Sequence, residues 1–340
     1  MNRAMSLNRV SLKMMLPIML ILQVWTSESR AQGADYWSDE FDGPAGTAPN
    51  PAKWNIAVTG NPANNEAQYY SNRLKNVALN GAGQLELIAY KEVMGSKQYT
   101  SGKVTSSGKF QQMYGRWEAR IKLPAGVGFW PAFWMLGINN GCGGWPACGE
   151  IDIMENRGRS PRQSSSALHG PGYSGNTPIY HGYTLPTASA TLMEDFHIFA
   201  ADWTANQIRF YVDGVLHYTV NRPDVEKYGR WAYDRPFYAI LNLAVGGQFD
   251  GNALPTDASL PARVTVDYVR IFREGTSAIK AWKPALRPAG AFVEATLGDA
   301  LPGSARDALG RMPVGGPRRG QIFSGWISTI RSPGATSSPF

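Results

Sequence analysis

The chain has 340 residues, 43% of them hydrophobic and 17% charged, with 37 Gly, 23 Pro and 11 Trp. That profile belongs to a turn-rich globular protein long enough to bury a core, and it excludes a coiled coil, a collagen-like chain and a wholly disordered one. The net charge of +7 sits at the ends: residues 1–31 carry four basic and one acidic residue, 276–340 carry eight and three, and the middle keeps 21 and 22, which argues against nucleic acid as a partner of the core.

In chain order, Arg3, Arg9 and Lys13 precede the apolar run 14–22 (MMLPIMLIL), and Ser29 and Ala31 follow at cleavage spacing. A basic start, a short apolar centre and a small-residue exit make residues 1–31 a secretory signal. Nine apolar residues containing Pro17 are too few to span a bilayer. The expectation is a secreted or periplasmic protein with no stable membrane insertion once the signal is removed.

Residues 32–275 read as β structure. In 116–123 (RWEARIKL), Trp117, Ala119, Ile121 and Leu123 alternate with Arg116, Glu118, Arg120 and Lys122, the period-2 pattern of a half-buried strand. Residues 208–213 and 215–220 flank Asp213-Gly214, a type I′ hairpin signal. Further strands are expected at 84–90, 103–110, 129–136, 149–156, 164–170, 196–203, 237–245 and 263–273, and a short helix at 189–196. Many short strands between Gly, Pro and Asn turns predict an all-β sandwich or jelly roll.

Cys142 and Cys148 lie six residues apart with no His close in sequence, which disfavours zinc. In an exported chain they read as a small disulfide, the alternative being two reduced thiols. Residues 276–340 hold 16 Gly or Pro and no sustained periodicity apart from a short helix expected near 304–311. They read as a basic, disordered tail, with a surface-attachment segment as the alternative.

The chemistry concentrates in 149–156, GEIDIMEN. In a regular strand positions 150, 152 and 154 share a face and 155 points away. One extra residue, a β-bulge at Ile153-Met154, turns Glu155 onto the face of Glu150 and Asp152. A helix would separate 150 and 155 by about 140° and give no common face. Three carboxylates embedded among Ile and Met repel one another, so their pKa values diverge, as a retaining glycosidase's nucleophile and acid/base require. A Ca²⁺ site or a solvated acidic face are the alternatives on spacing alone. Aromatic residues favour a sugar site: Trp130, Trp134 and Trp145 offer faces for sugar rings, and Asn64, Asn65, Glu66 and Gln68 offer polar partners. At least one of Trp130 and Trp134 is expected to be structural, because a Trp buries so much area.

GEIDIME, preceded by WPACG, is similar to the catalytic signature of glycoside hydrolase family 16, and within it to bacterial endo-β-1,3-glucanases (laminarinases). The resemblance runs over most of 35–273, through DEFDG (39–43), NNEAQYY (64–70), YGRWEARIKLP (114–124), FWPAFWMLG (129–137), LHGPGYSG (168–175), LNLAVGG (241–247) and VDYVRIF (266–272). It implies a jelly roll of two antiparallel sheets with a concave substrate cleft, Glu150 as nucleophile, Glu155 as acid/base and Asp152 between them tuning their protonation. The residues themselves add sugar contacts expected from Asn65, Trp130, Trp134 and Trp145, from Arg116 on the polar face of its strand, and from His169 on a strand placed to neighbour 149–156. The extra residue Met154 marks the branch that includes laminarinases, against the unbulged lichenase branch. No cofactor is implied for catalysis. A structural Ca²⁺ is possible near Glu40 and Asp267. The function expected is hydrolysis of internal β-1,3 bonds in β-glucan polysaccharide by a monomer. Rival readings are a relative acting on mixed-linkage glucan or galactan, a wall-glucan transglycosylase, and a non-catalytic β-glucan-binding protein that would lack the acids this chain retains.

Overall fold

The computed structural model describes residues 36–275. The signal at 1–31, the tail at 276–340 and the helix at 304–311 lie outside the described residues.

The regular structure of the described chain is almost entirely strand. In order these are β1 (Tyr36–Asp39), β2 (Asn55–Ile56), β3 (Gln68–Tyr70), β4 (Val77–Leu79), β5 (Leu85–Met94), β6 (Lys97–Ser101), β7 (Lys103–Thr105), β8 (Gly115–Lys122) and β9 (Phe129–Gly137). There follow β10 (Glu150–Glu155), β11 (Gln163–His169), β12 (Ile179–Thr184), β13 (His197–Trp203), β14 (Gln207–Val212), β15 (Val215–Asn221), β16 (Phe237–Val245) and β17 (Ala262–Phe272). One helical turn, α1 (Arg222–Val225), follows β15. The strands form two sheets. The ten-stranded one runs β15-β14-β13-β8-β17-β5-β6-β3, with β1 on β17 and β4 on β5; the seven-stranded one runs β12-β11-β10-β9-β16-β7-β2. This is the expected sandwich. It departs from an all-antiparallel arrangement in one pair, since β3 and β6 run parallel.

The expected alternation is what builds the core. Trp117, Ala119 and Ile121 of β8 are fully buried between the sheets, with Phe129, Phe133 and Met135 of β9 and Leu241, Leu243 and Val245 of β16. The hairpin between β14 and β15 turns through Asp213 and Gly214 at φ of 49° and 77°, both positive as a type I′ turn requires.

Two expected elements differ. The strand at 103–110 ends at Thr105, and the chain turns back through Lys109 N–H and Phe110 N–H donating to the Ser106 carbonyl. Residues 189–196 form turns rather than a helix, because their backbone is committed elsewhere: Leu192 N–H donates to Pro161 and its carbonyl accepts from Leu123. A segment of that length does not nucleate a helix against such competition.

Arg116 does not reach a cleft. It lies on β8 in the ten-stranded sheet, is 5% exposed, and donates to Glu118 (2.8 Å) and Asp202 (2.9 Å). The strand's polar face is therefore buried as well. Neighbouring β13 and β17 lay Asp202 and Asp267 across it, and Arg120 reaches Asp267 at 3.0 Å. Glu40 is held through both oxygens by Arg270, at 2.9 and 2.8 Å. Asp267 Oδ2 in turn accepts from Arg120, so each of these two carboxylates has an arginine partner.

Arg116→Met leaves Glu118 and Asp202 buried without their shared cation. It is expected to cost about 3–5 kcal/mol in denaturant unfolding, with KM unchanged in the protein that still folds. A raised KM at undiminished stability would put Arg116 in the substrate site after all.

Candidate active site

The face of the seven-stranded sheet that points away from the core carries the site. β9 alternates Trp130, Ala132 and Trp134 on this face with Phe129, Phe133 and Met135 inward. Both tryptophans are half-buried and line the same cavity, so neither is the core residue expected of at least one of them. β10 pairs with β9 as Glu150↔Leu136, Asp152↔Trp134 and Glu155↔Ala132, with a register shift between Asp152 and Met154. On its other side it pairs with β11 as Glu150↔His169, Asp152↔Ala167 and Glu155↔Ser165. Two residues of β10, Ile153 and Met154, thus stand against Ser166 alone, which is the bulge the sequence spacing called for. Both bulge residues are buried, and the three acids share the outer face.

What leads into β10 is fixed by close packing. Gly149 sits at φ 83°, and a Cβ there would lie 2.9 Å from both the Ala232 carbonyl and the Phe237 ring. A Cβ at Gly137 would collide with the Cys148 carbonyl, so β9 and the disulfide loop can lie against each other. Cys142 and Cys148 form the disulfide, Cα atoms 5.3 Å apart. The loop they close carries Trp145, which is 53% exposed yet donates its indole N–H to Glu150 Oε2 at 2.6 Å. Trp130 donates likewise to Glu155 Oε1 at 3.0 Å. Each outer acid therefore has one aromatic N–H, a donor that stabilises the carboxylate form, while Asp152 between them is 3% exposed.

Burial dominates the electrostatics. It pushes Glu150 up to about 8, with the Asp152 charge adding to it, and Glu155 up to about 7, with the Glu150 charge adding. Asp152 is raised well above the usual carboxylate range by burial and by Glu155. The three acids cannot all ionise near neutrality, and they exchange protons as one set. His169 lies with Nε2 3.3 Å from Asp152 Oδ2, and its ring is tilted against Trp145 at 6.2 Å. It belongs to the site first as the neighbour of Asp152.

The cavity over the acids measures about 250 Å³ and is lined by Trp130, Trp134, Glu150, Asp152, Glu155 and Asn242 among others. Of the two asparagines expected there, Asn64 is in that lining and Asn65 is not; both sit in a turn at positive φ before the buried Glu66. A second cavity touches Trp145, Gly149 and Tyr238, and a third takes in Glu155 with Arg157, Tyr180 and Phe249. The acids thus border an open groove rather than a blind pocket.

The sequence singled out Glu66 and Gln68 as polar residues, but not the hydrogen-bonded group they build behind Trp134. Trp134 donates to Asn242 Oδ1 (2.7 Å), Asn242 to the Tyr70 hydroxyl (3.2 Å), and Tyr70 to Glu66 (2.9 Å), which also takes Gln68 Nε2 (2.6 Å). Gln68 is fully buried, so it braces this chain rather than offering a sugar partner. Lys103 lies 4.8 Å from the Trp134 ring centroid, and burial lowers its pKa despite Glu66 and Glu150. Its only sequence signal was a charged residue at the start of a strand. Its place beside Asn242 comes from the pairing of β7 with β16.

The chain matches the profile of the family described as Glycosyl hydrolases family 16 over residues 64–270. A beta-glucanase of Rhodothermus marinus is 37% identical over 246 residues, covering 70% of this chain and 84% of that one. A glucan endo-1,3-beta-glucosidase A1 of Niallia circulans is 36% identical over 269 residues, 70% of this chain and 37% of its own length. Among solved structures, an endo-beta-1,3-glucanase from Pyrococcus furiosus is 42% identical with a TM-score of 0.65, covering 70% of this chain and 93% of that one.

Deleting Met154 should lower the thermal midpoint far more than Met154→Leu, whose cost stays below about 1.5 kcal/mol. The deletion exchanges the faces of all that follows. It dislodges Asn156, which is 1% exposed and donates to the Ser160 and Gln163 carbonyls. Equal midpoints would mean that the bulge does not set the register.

Glu150→Gln should stabilise the fold at alkaline pH. The group titrates near 4.5 unfolded and about 8 folded, so between these values the folded state binds more protons and stability falls as pH rises. Removing the charge should raise Tm at about pH 8.5 and leave it unchanged at about pH 4, where the carboxyl is protonated in both states. A Tm gain equal at both pH values would mean that packing, not charge, is responsible.

Proposed function

This chain belongs to glycosyl hydrolases family 16, and from that premise we propose that it is a retaining endo-β-1,3-glucanase that cleaves internal bonds of β-glucans such as laminarin. The observation that carries the reading is the bulged β10, which aligns Glu150, Asp152 and Glu155 on one face beneath Trp130, Trp134 and Trp145. In this reading Glu150 attacks the anomeric carbon while Glu155 gives its proton to the departing glycosidic oxygen, leaving a glycosyl ester on Glu150. Glu155, now a base, takes a proton from water, whose oxygen displaces Glu150 and restores the β anomer. Asp152 shares the proton set and holds Glu150 up, and His169 braces Asp152. The Trp145 N–H steadies Glu150 as a carboxylate.

The open groove supports attack within a chain rather than at its end. The three indole faces suit the apolar faces of glucose rings, with Asn64 and Lys103 at the groove's polar side. The leader at 1–31 and the Cys142–Cys148 disulfide support action outside the cytoplasm, by a monomer that needs no cofactor for the reaction.

The test is product analysis on laminarin, curdlan, lichenan and agarose. Laminarin should yield oligosaccharides whose new reducing ends appear first as the β anomer by NMR. Release from agarose, or from lichenan in preference to laminarin, would reassign the substrate; binding without any release would make the protein a lectin. Glu155→Gln should lose about 10²–10⁴-fold in kcat and Glu150→Gln at least as much. Glu150→Ala with azide should give the α-glycosyl azide. Asp152→Asn should move the acid limb of the pH profile to lower pH, because Glu150 must be ionised to attack and the Asp152 charge helps to hold it up. A limb that moves upward, or a fully active Glu150→Gln enzyme, would sink these roles.

A further inference from the structure

We propose that Glu150, Asp152 and His169 together form a binding site for one divalent cation of the zinc type, which closes the catalytic groove reversibly. One ligand atom from each of the three lies within 4.8 Å of the others, the one such cluster of His, Cys, Asp or Glu among the described residues. An acidic cluster alone would not be a site. Here Asp152 is 3% exposed, and its Oδ2 makes no hydrogen bond, only the 3.3 Å contact with His169 Nε2, a contact that a cation between the two atoms would turn into two ligand bonds.

The geometry selects the cation. Two ligands about 2.1 Å from a tetrahedral Zn²⁺ stand about 3.4 Å apart, and Asp152 Oδ2 and His169 Nε2 are 3.3 Å apart. Glu150, whose nearest oxygen lies within 4.8 Å of both, completes a set of three ligands by closing in, with a water in the fourth position. It is only half-buried, and it can keep Trp145 on one oxygen while offering the other. An imidazole with two carboxylates is a zinc-type donor set. Mg²⁺ and Ca²⁺ are hard ions that take oxygen ligands, and here one of the three places is an imidazole nitrogen, which suits them poorly.

The affinity is limited by what stands behind the histidine. A metal-bound His ordinarily donates its second N–H to an acceptor, and His169 Nδ1 is buried with no partner. That missing support costs about 10–100-fold in affinity, so the ion is a reversible inhibitor rather than a resident cofactor. The competing histidines are His181 and His217, stacked 5.9 Å apart at the meeting edges of the two sheets.

Binding is read by calorimetry on chelator-treated protein with ZnCl₂, and with MgCl₂ or CaCl₂, in the absence of polysaccharide. One Zn²⁺ per chain is expected, weakened at least tenfold in His169→Gln and in Glu150→Gln, unchanged in His181→Ala, with no heat from Mg²⁺ or Ca²⁺. Crystals soaked in Zn²⁺ should show an anomalous peak between the three side chains, a readout that stands even if a variant folds poorly. Unaltered affinity in His169→Gln, loss in His181→Ala, an anomalous peak elsewhere or no binding at all would overturn the proposal. The inhibitory arm rests on the glucanase reading: Zn²⁺ should raise the KM for laminarin and leave kcat unchanged. If Zn²⁺ binds as described but laminarin is not hydrolysed, the metal site stands and the glucanase reading falls.

Discussion

Three carboxylic acids on one face of one strand, with apolar residues behind them, is the constraint on which this structure turns. A regular strand could not place Glu150, Asp152 and Glu155 together; the extra residue at Ile153-Met154 does so by standing two residues against Ser166. The crowding is unfavourable, and burial makes it more so, which is why each acid is pushed upward in pKa. The same unfavourable arrangement keeps a proton in the groove near neutrality, where general acid chemistry needs one. Here stability and chemistry oppose each other through a single set of charges.

The surroundings temper that repulsion without cancelling it. Trp145 and Trp130 each place one N–H on an outer acid, which favours the ionised form at two positions while Asp152, between them, has none at Oδ2. The donors come from different elements. Trp130 belongs to the neighbouring strand β9, while Trp145 stands on the loop drawn in by the Cys142–Cys148 disulfide. Behind Trp134, the run of hydrogen bonds through Asn242, Tyr70, Glu66 and Gln68 ties the groove to β3 and to the Val245 N–H of β16, so the aromatic wall rests on satisfied polar groups.

The ten-stranded sheet handles buried charge differently. Its polar face pairs Arg116 with Glu118 and Asp202, Arg120 with Asp267, and Arg270 with Glu40. There each acid has an arginine, whereas in the groove the acids have one another. One sheet carries neutralised charge as structure, and the other keeps charge unneutralised where substrate would sit.

What the sequence by itself determined follows from local rules. Period-2 alternation located β8, β14 and β15, Asp213-Gly214 located the hairpin between the last two, and the spacing within GEIDIMEN demanded the bulge and so brought the acids together. Short or weakly alternating strands such as β2, β3 and β4 gave no such signal, because two or three residues carry no period. What only the tertiary structure decided was which neighbours each face meets. Arg116 read as a cleft residue because alternation says that a face is polar, not which sheet it belongs to or that Asp202 lies across from it. Lys103 was silent because its place beside Asn242 depends on pairing strands that are 139 residues apart. Of the adjacent pair Asn64 and Asn65, only Asn64 lines the groove, a choice that residue type could not make. Local pattern fixes what a strand can present; strand pairing across long sequence distances fixes to whom.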